Sequence, residues 1–146
     1  MKQFLAIVLF TLMSLGAWAD EMSVLAVSPD VAKEEISRQD LVNIFLGKQT
    51  NWPDGRHINI GYCILPDSKV DQFLEKWVGK NHRRFKKYWV KKVFAGYGVA
   101  PKMFKNVKKS LDFVKKQEGS IVFVTVSGEW ELEGVKTLKV DGTSSF

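Results

Sequence analysis

Ile58-Asn59-Ile60-Gly61-Tyr62-Cys63-Ile64-Leu65-Pro66-Asp67-Ser68-Lys69-Val70-Asp71-Gln72-Phe73-Leu74-Glu75-Lys76-Trp77-Val78-Gly79 changes its hydrophobic period once, and that change decides the fold class. Ile58, Ile60, Tyr62 and Ile64 alternate with Asn59, Gly61 and Cys63, the period of a strand with one face on a core. After Pro66-Asp67-Ser68 the apolar residues Val70, Phe73, Leu74, Trp77 and Val78 fall at i, i+3, i+4, i+7 and i+8, the stripe of a helix that Gly79 stops. A strand running straight into an amphipathic helix is the building unit of an α/β domain.

The flanking sequence extends the pattern. Val24-Leu25-Ala26-Val27 reads as a buried strand entering a loop at Ser28-Pro29. Ser37 as N-cap, Asp40 at N3 and the Ile36/Leu41 pair open a helix that Gly47 ends, with Leu41, Ile44 and Phe45 inward. Thr50 to Gly55 has turn chemistry. A third helix, from about His82 to Phe94, sets Phe85, Tyr88, Trp89 and Val93 on one stripe and turns Arg83, Arg84, Lys87 and Lys91 away from it. Gly96-Tyr97-Gly98 breaks that pattern, Asn106 caps a fourth helix with Val107, Leu111 and Val114 inward, and Gly119 ends it. Ile121 to Val126 is an apolar strand and Val135 to Val140 a last one. This order predicts a single three-layer α/β lobe. Ligands in such folds sit beyond the carboxyl ends of the strands, which makes the loops at Ser28-Pro29, Leu65 to Lys69 and Thr125 to Gly128 the geometric candidates.

Composition narrows the function. A chain of 146 residues with 45% hydrophobic and 26% charged residues can build one domain around a core, against both disorder and a multidomain enzyme. One cysteine excludes an intrachain disulfide framework and a multi-cysteine metal site, and with two histidines a zinc enzyme would need carboxylates to complete it. No cofactor or metal is expected. His57 and His82 are far apart and have no base-and-nucleophile setting, and no paired-carboxylate or triad motif is recognisable, so the reading is non-catalytic.

Lys2 precedes an apolar run from Phe4 to Leu15, too short to span a bilayer, and Ala17-Trp18-Ala19 supplies the small residues of a cleavage site. Residues 1–19 therefore read as a signal peptide cut after Ala19, and residues 20–146 as a domain in the periplasm. Cys63, alone in an oxidising compartment, reads as a buried small hydrophobe. Charge is segregated: Lys80 to Lys116 holds thirteen Lys or Arg against Asp112 alone, a net of +12. Such a face attracts anionic partners. It also fits the solvated side of two amphipathic helices.

The punctuation then becomes recognisable. Leu41-Val42-Asn43-Ile44-Phe45-Leu46-Gly47-Lys48, Asn51-Trp52-Pro53-Asp54-Gly55, Tyr88-Trp89 with Val93-Phe94-Ala95-Gly96-Tyr97-Gly98, Pro101-Lys102, and Gly119-Ser120-Ile121-Val122-Phe123-Val124 occur in that order. The set resembles the small periplasmic phosphate ABC-transporter substrate-binding-like proteins, from about Val24 to Val126. The resemblance implies one lobe of the type 2 periplasmic binding protein fold, related to the second lobe of full-length phosphate-binding proteins. In those relatives an arginine-containing, Ser-Gly-Thr-type loop opens the helix whose amides hold phosphate. This chain reads Tyr62-Cys63-Ile64-Leu65-Pro66-Asp67-Ser68-Lys69 there, with no Arg and no Ser-Gly-Thr, and Asp67 places a negative charge beside the anion position.

Within that loop Asp67 and Ser68 suit N-capping of the following helix. Lys69, a cation at the positive end of the helix dipole, suits anion contact. Ser28, Thr125 and Ser127 are expected near the same rim. Two functional readings follow. One is a solute-binding-like module for phosphate or another small oxyanion, working with an ABC transporter or sensor subunit. The other is an adaptor docking through Arg83, Arg84, Lys87 and Lys91 on an anionic membrane or protein partner. Nucleic acid is disfavoured by export and by the lack of a DNA-reading motif.

Overall fold

The structure is a computed structural model that describes residues 21–146; the expected signal peptide and its cleavage site lie outside the described residues. Six strands form one sheet: β1 (Met22–Val27), β2 (Glu35–Ile36), β3 (Asn59–Cys63), β4 (Lys102–Phe104), β5 (Ser120–Val126) and β6 (Lys136–Val140). Their order is β2-β6-β1-β5-β3-β4. β3 lies parallel to both β4 and β5, and β1 runs antiparallel to β5 and β6. Four α-helices accompany them: α1 (Arg38–Phe45), α2 (Asp67–Phe73), α3 (His82–Phe94) and α4 (Val107–Lys116).

Strand alternation divides the core in two. Leu25, Val27, Tyr62, Ile121, Phe123 and Leu138 point to one face, where they meet Phe45 of α1, Phe73 of α2 and Phe85 and Trp89 of α3. Val24, Ala26, Cys63, Val122 and Val124 point to the other, against Leu111 and Val114 of α4. The result is the three-layer α/β lobe expected from the order of elements. Phe73 stacks on Phe123 with ring centroids 4.0 Å apart, fixing α2 to the middle of the sheet.

Local signals explain the helix boundaries. The Ser37 side chain accepts from the Asp40 amide while Asp40 reaches back to the Ser37 amide, a complete capping box. At its other end α1 has no basic residue of its own, and α3 supplies the donors. Tyr88 OH donates to Leu46 O at 2.6 Å, Lys92 Nζ to the same oxygen at 3.0 Å, and Trp89 Nε1 to Phe45 O at 3.0 Å. Gly47 closes this joint with φ 68°; a Cβ there would stand 2.5 Å from the Trp89 ring, so a side chain is excluded twice over. Asn106 caps α4 as expected, accepting from the Lys109 amide.

Four features depart from the sequence reading. The short strands β2 and β4 add an edge on each side of the sheet. The helix after Pro66 is α in its first seven residues and then a π-helical turn over Leu74–Val78. Trp77 is half-buried against Phe146 rather than central. Val93, expected inward, is exposed, because among the described residues no element covers that flank of α3.

Candidate anion-binding rim

The pairing of β3 with β5 in parallel brings their carboxyl ends to one edge of the lobe, with Tyr62 opposite Phe123. β1 runs the other way, so its first residues arrive at that same edge, Met22 opposite Val126 and Ser23 opposite Thr125. Residues 64–69, 125–127 and 22–23 therefore form one rim. Leu65, Asp67 and Ser68 are exposed on it and Lys69 is half-buried.

Pro66, not Asp67 or Ser68, occupies the N-cap position of α2, and no side chain caps this helix. The expected capping role of Asp67 and Ser68 is thus not what the structure has. The first backbone bonds run from the Lys69 and Val70 amides to Pro66 O, at 3.0 and 3.4 Å. The Asp67 and Ser68 N–H groups precede them and face outward from the helix start, the arrangement that attracts an anion. Asp67 places its carboxylate in the same first turn and competes for that field.

The other expected rim residues have different surroundings. Thr125 is at the rim but 5% exposed, its Oγ1 2.8 Å from Ser23 Oγ in a buried hydroxyl pair. The Ser127 amide donates to Glu131 Oε2 at 3.0 Å. Ser28 is at the opposite end of the sheet, a correction that follows from the direction of β1. Its amide donates to Ser120 O at 2.9 Å and its hydroxyl to Asp30. Asp30 also accepts from the Gly119 amide at 3.1 Å and from Arg56, so Ser28 belongs to a structural knot. Burial pushes the Asp30 carboxyl up, yet bonds from Ser28, Arg56 and Gly119 outweigh it and hold the pKa below 3.8.

Sequence reasoning missed His82 as a neighbour of the rim. Its Nε2 lies 3.2 Å from Tyr62 OH and its backbone N–H donates to Asp71 Oδ1 at 2.8 Å. Twenty residues separate Tyr62 from His82, and no spacing signal joins them. Burial lowers the His82 pKa from 6.5, Lys86 lowers it further, and Asp67 and Asp71 pull the other way. Burial raises the Tyr62 phenol above 10.0. Both groups are therefore neutral at neutral pH.

Arg83, Arg84, Lys87 and Lys91 are all exposed on α3, as expected. Among the described residues the ion pairs are those of Arg56 with Asp30 and Asp54, which leaves the α3 cations without carboxylate partners. Cys63 is fully buried. Among the described residues no three His, Cys, Asp or Glu side chains are grouped to hold a metal ion, and no helix is long and apolar enough to cross a membrane.

Solved structures share this architecture. PstS from Borrelia burgdorferi superposes with a TM-score of 0.62 at 17% identity, over 84% of this chain and 48% of that one. An ABC-type phosphate transport receptor from Vibrio cholerae gives 0.61 at 14%, over 86% and 48%. A protein from Clostridium perfringens assigned as a phosphate ABC transporter substrate-binding protein, with bound phosphate, gives 0.62 at 16%, over 86% and 47%. The chain has the fold of half a phosphate receptor. It spans about half the length of each of these proteins, as a single lobe does. No protein-family model and no curated protein matches the chain. Seen as such a lobe, the strand-to-helix turn at Leu65–Lys69 is the part of the rim that offers free amides and a cation together.

Proposed function

We propose that the protein is a non-catalytic, periplasmic solute-binding-like lobe, exported through a signal peptide cut after Ala19, that takes phosphate or another small oxyanion at the turn from β3 into α2. The observation that carries this reading is the lobe architecture shared with phosphate receptors, with an outward-facing helix start at the end of β3. In it the Asp67 and Ser68 amides and the Ser68 hydroxyl donate to the anion, and the Lys69 ammonium supplies the opposite charge. Ser28 and Thr125 have no part in it, being engaged with Asp30 and Ser23. One lobe offers half a cleft and buries less of a ligand than a closed site, so affinity is low until a transporter subunit, a sensor or a second lobe completes the enclosure.

Isothermal titration with phosphate and with sulfate at low salt tests the reading. A saturable heat that Lys69→Glu abolishes supports it. Absence of heat with either anion, or heat that Lys69→Glu leaves unchanged, removes it.

A further inference from the structure

Val93-Phe94-Ala95-Gly96-Tyr97-Gly98-Val99-Ala100-Pro101 carries no charged side chain, and its one polar side-chain group is the Tyr97 hydroxyl. The fold leaves this stretch uncovered. Phe94 is 89% exposed, Val99 84% and Tyr97 71%. It links the end of α3 to β4, and β4 is the last strand of the sheet, so no further strand shelters it. Beside it Val90 and Val93 face Met103 across an apolar groove of about 360 Å³ floored by Tyr62, Phe85 and Trp89. A contiguous apolar surface of this kind marks an interaction site.

The charge around it has one sign. Arg83, Lys87, Val90 and Phe94 fall at i, i+4, i+7 and i+11 and share one flank of α3, and Lys86 borders the groove. No Asp or Glu occurs from Lys80 to Leu111. Lys92 is engaged elsewhere, at the carboxyl end of α1, but Arg83, Lys86, Lys87 and Lys91 make no ion pair among the described residues. α3 begins beside the oxyanion rim at His82, with Arg83 next to it, and carries Phe94 about 18 Å away at 1.5 Å per residue, so the apolar tip stands apart from the rim.

We infer that this face docks on a bilayer surface rich in anionic phospholipid. Phe94, Tyr97 and Val99 enter the headgroup region, and Arg83, Lys86, Lys87 and Lys91 meet the lipid phosphates. A projecting apolar tip within a field of unpaired cations matches the two layers of such an interface, apolar below and anionic above, with the tyrosine hydroxyl at the boundary. The inference does not depend on the oxyanion reading, and phosphate titration and vesicle binding can fail separately.

The exported protein, recovered as cells process it, is sedimented with phosphatidylglycerol vesicles and with phosphatidylcholine vesicles. Binding to the anionic vesicles is expected at low salt and lost at about 0.5 M salt. Phe94→Ser with Val99→Ser lowers partitioning about tenfold, and Lys87→Ser or Lys91→Ser lowers it about fivefold each. All four residues are exposed, so thermal melting of the variants stays unchanged. A dye on Val99→Cys, with Cys63 fully buried, brightens on anionic vesicles. Any pull from the N-terminal apolar segment is common to every variant. No sedimentation with phosphatidylglycerol, binding that survives the Phe94/Val99 change, or a silent dye overturns the inference; binding of an acidic protein but not of vesicles does so too.

Discussion

The Tyr62 hydroxyl lies 3.2 Å from His82 Nε2, joining the penultimate residue of β3 to the first residue of α3 across the rim. The burial of His82 sets a pH dependence. The folded His82 pKa lies below 6.5, chiefly through burial, so the unfolded chain binds the proton first as pH falls. Stability contributed by neutral His82 is full above pH 6.5 and declines below it until the folded pKa is reached. Thermal melts from about pH 5.5 to 6.5, above the usual carboxylate range, should show this slope in the native protein and a flatter one in His82→Gln. Equal slopes would refute the assignment.

Asp30 has the opposite sign. Its carboxyl is held below 3.8 by Ser28, Arg56 and the Gly119 amide despite its partial burial, so its contribution is present above pH 3.8 and is lost as pH falls through the folded value. Asp30→Asn keeps the shape and removes the charge. It should lower the melting temperature at pH 7 and make the acid limb of the stability curve shallower, with no change in phosphate heat. A change in phosphate heat would place the anion at the Ser28–Asp30 end of the sheet instead.

Gly119 stands at φ 65°, and a Cβ there would lie 2.2 Å from the His57 carbonyl oxygen. The same glycine's carbonyl accepts from Trp52 Nε1 at 2.9 Å. Gly119→Ala should therefore cost roughly 2 kcal/mol or more, through both the left-handed backbone and the collision. Urea unfolding measures it, and a loss under about 0.5 kcal/mol, the range of an ordinary surface change, would contradict the geometry.

In the proposed site Asp67 should limit anion affinity. Its carboxylate shares the first turn of α2 with the amides proposed to hold the ligand. Asp67→Asn should tighten phosphate about threefold or more at low salt and lose most of that gain as salt rises. Titration of the variant that finds phosphate weakened would place the anion elsewhere.

Much of the fold was legible because its signals are local. Ser37 and Asp40 are three residues apart and the capping box they form is in place; the α3 stripe of Phe85 and Trp89 ends at Phe94 as the glycines after it suggest. The failures share a cause, dependence on partners distant in sequence. β4 is three residues long and exists because Gly61 to Cys63 pair with it. Val93 has the right phase for burial, but phase does not say whether anything lies opposite. Ser28 and Thr125 both end apolar strands, yet only the antiparallel register of β1 on β5 reveals that they are at opposite ends of the lobe. His82 lies under Tyr62 only once α3 has packed.

The position of β1 has a kinetic consequence. This central strand pairs with β5 and β6, about a hundred residues later in the chain, and with no element between. Until Ser120–Val140 has emerged, Val24, Leu25, Ala26 and Val27 have no strand to join, and the middle of the sheet cannot close. Long-range pairing of this kind slows folding. A polypeptide built this way stays open while it is being made, and it acquires its tertiary structure only once β5 and β6 have emerged.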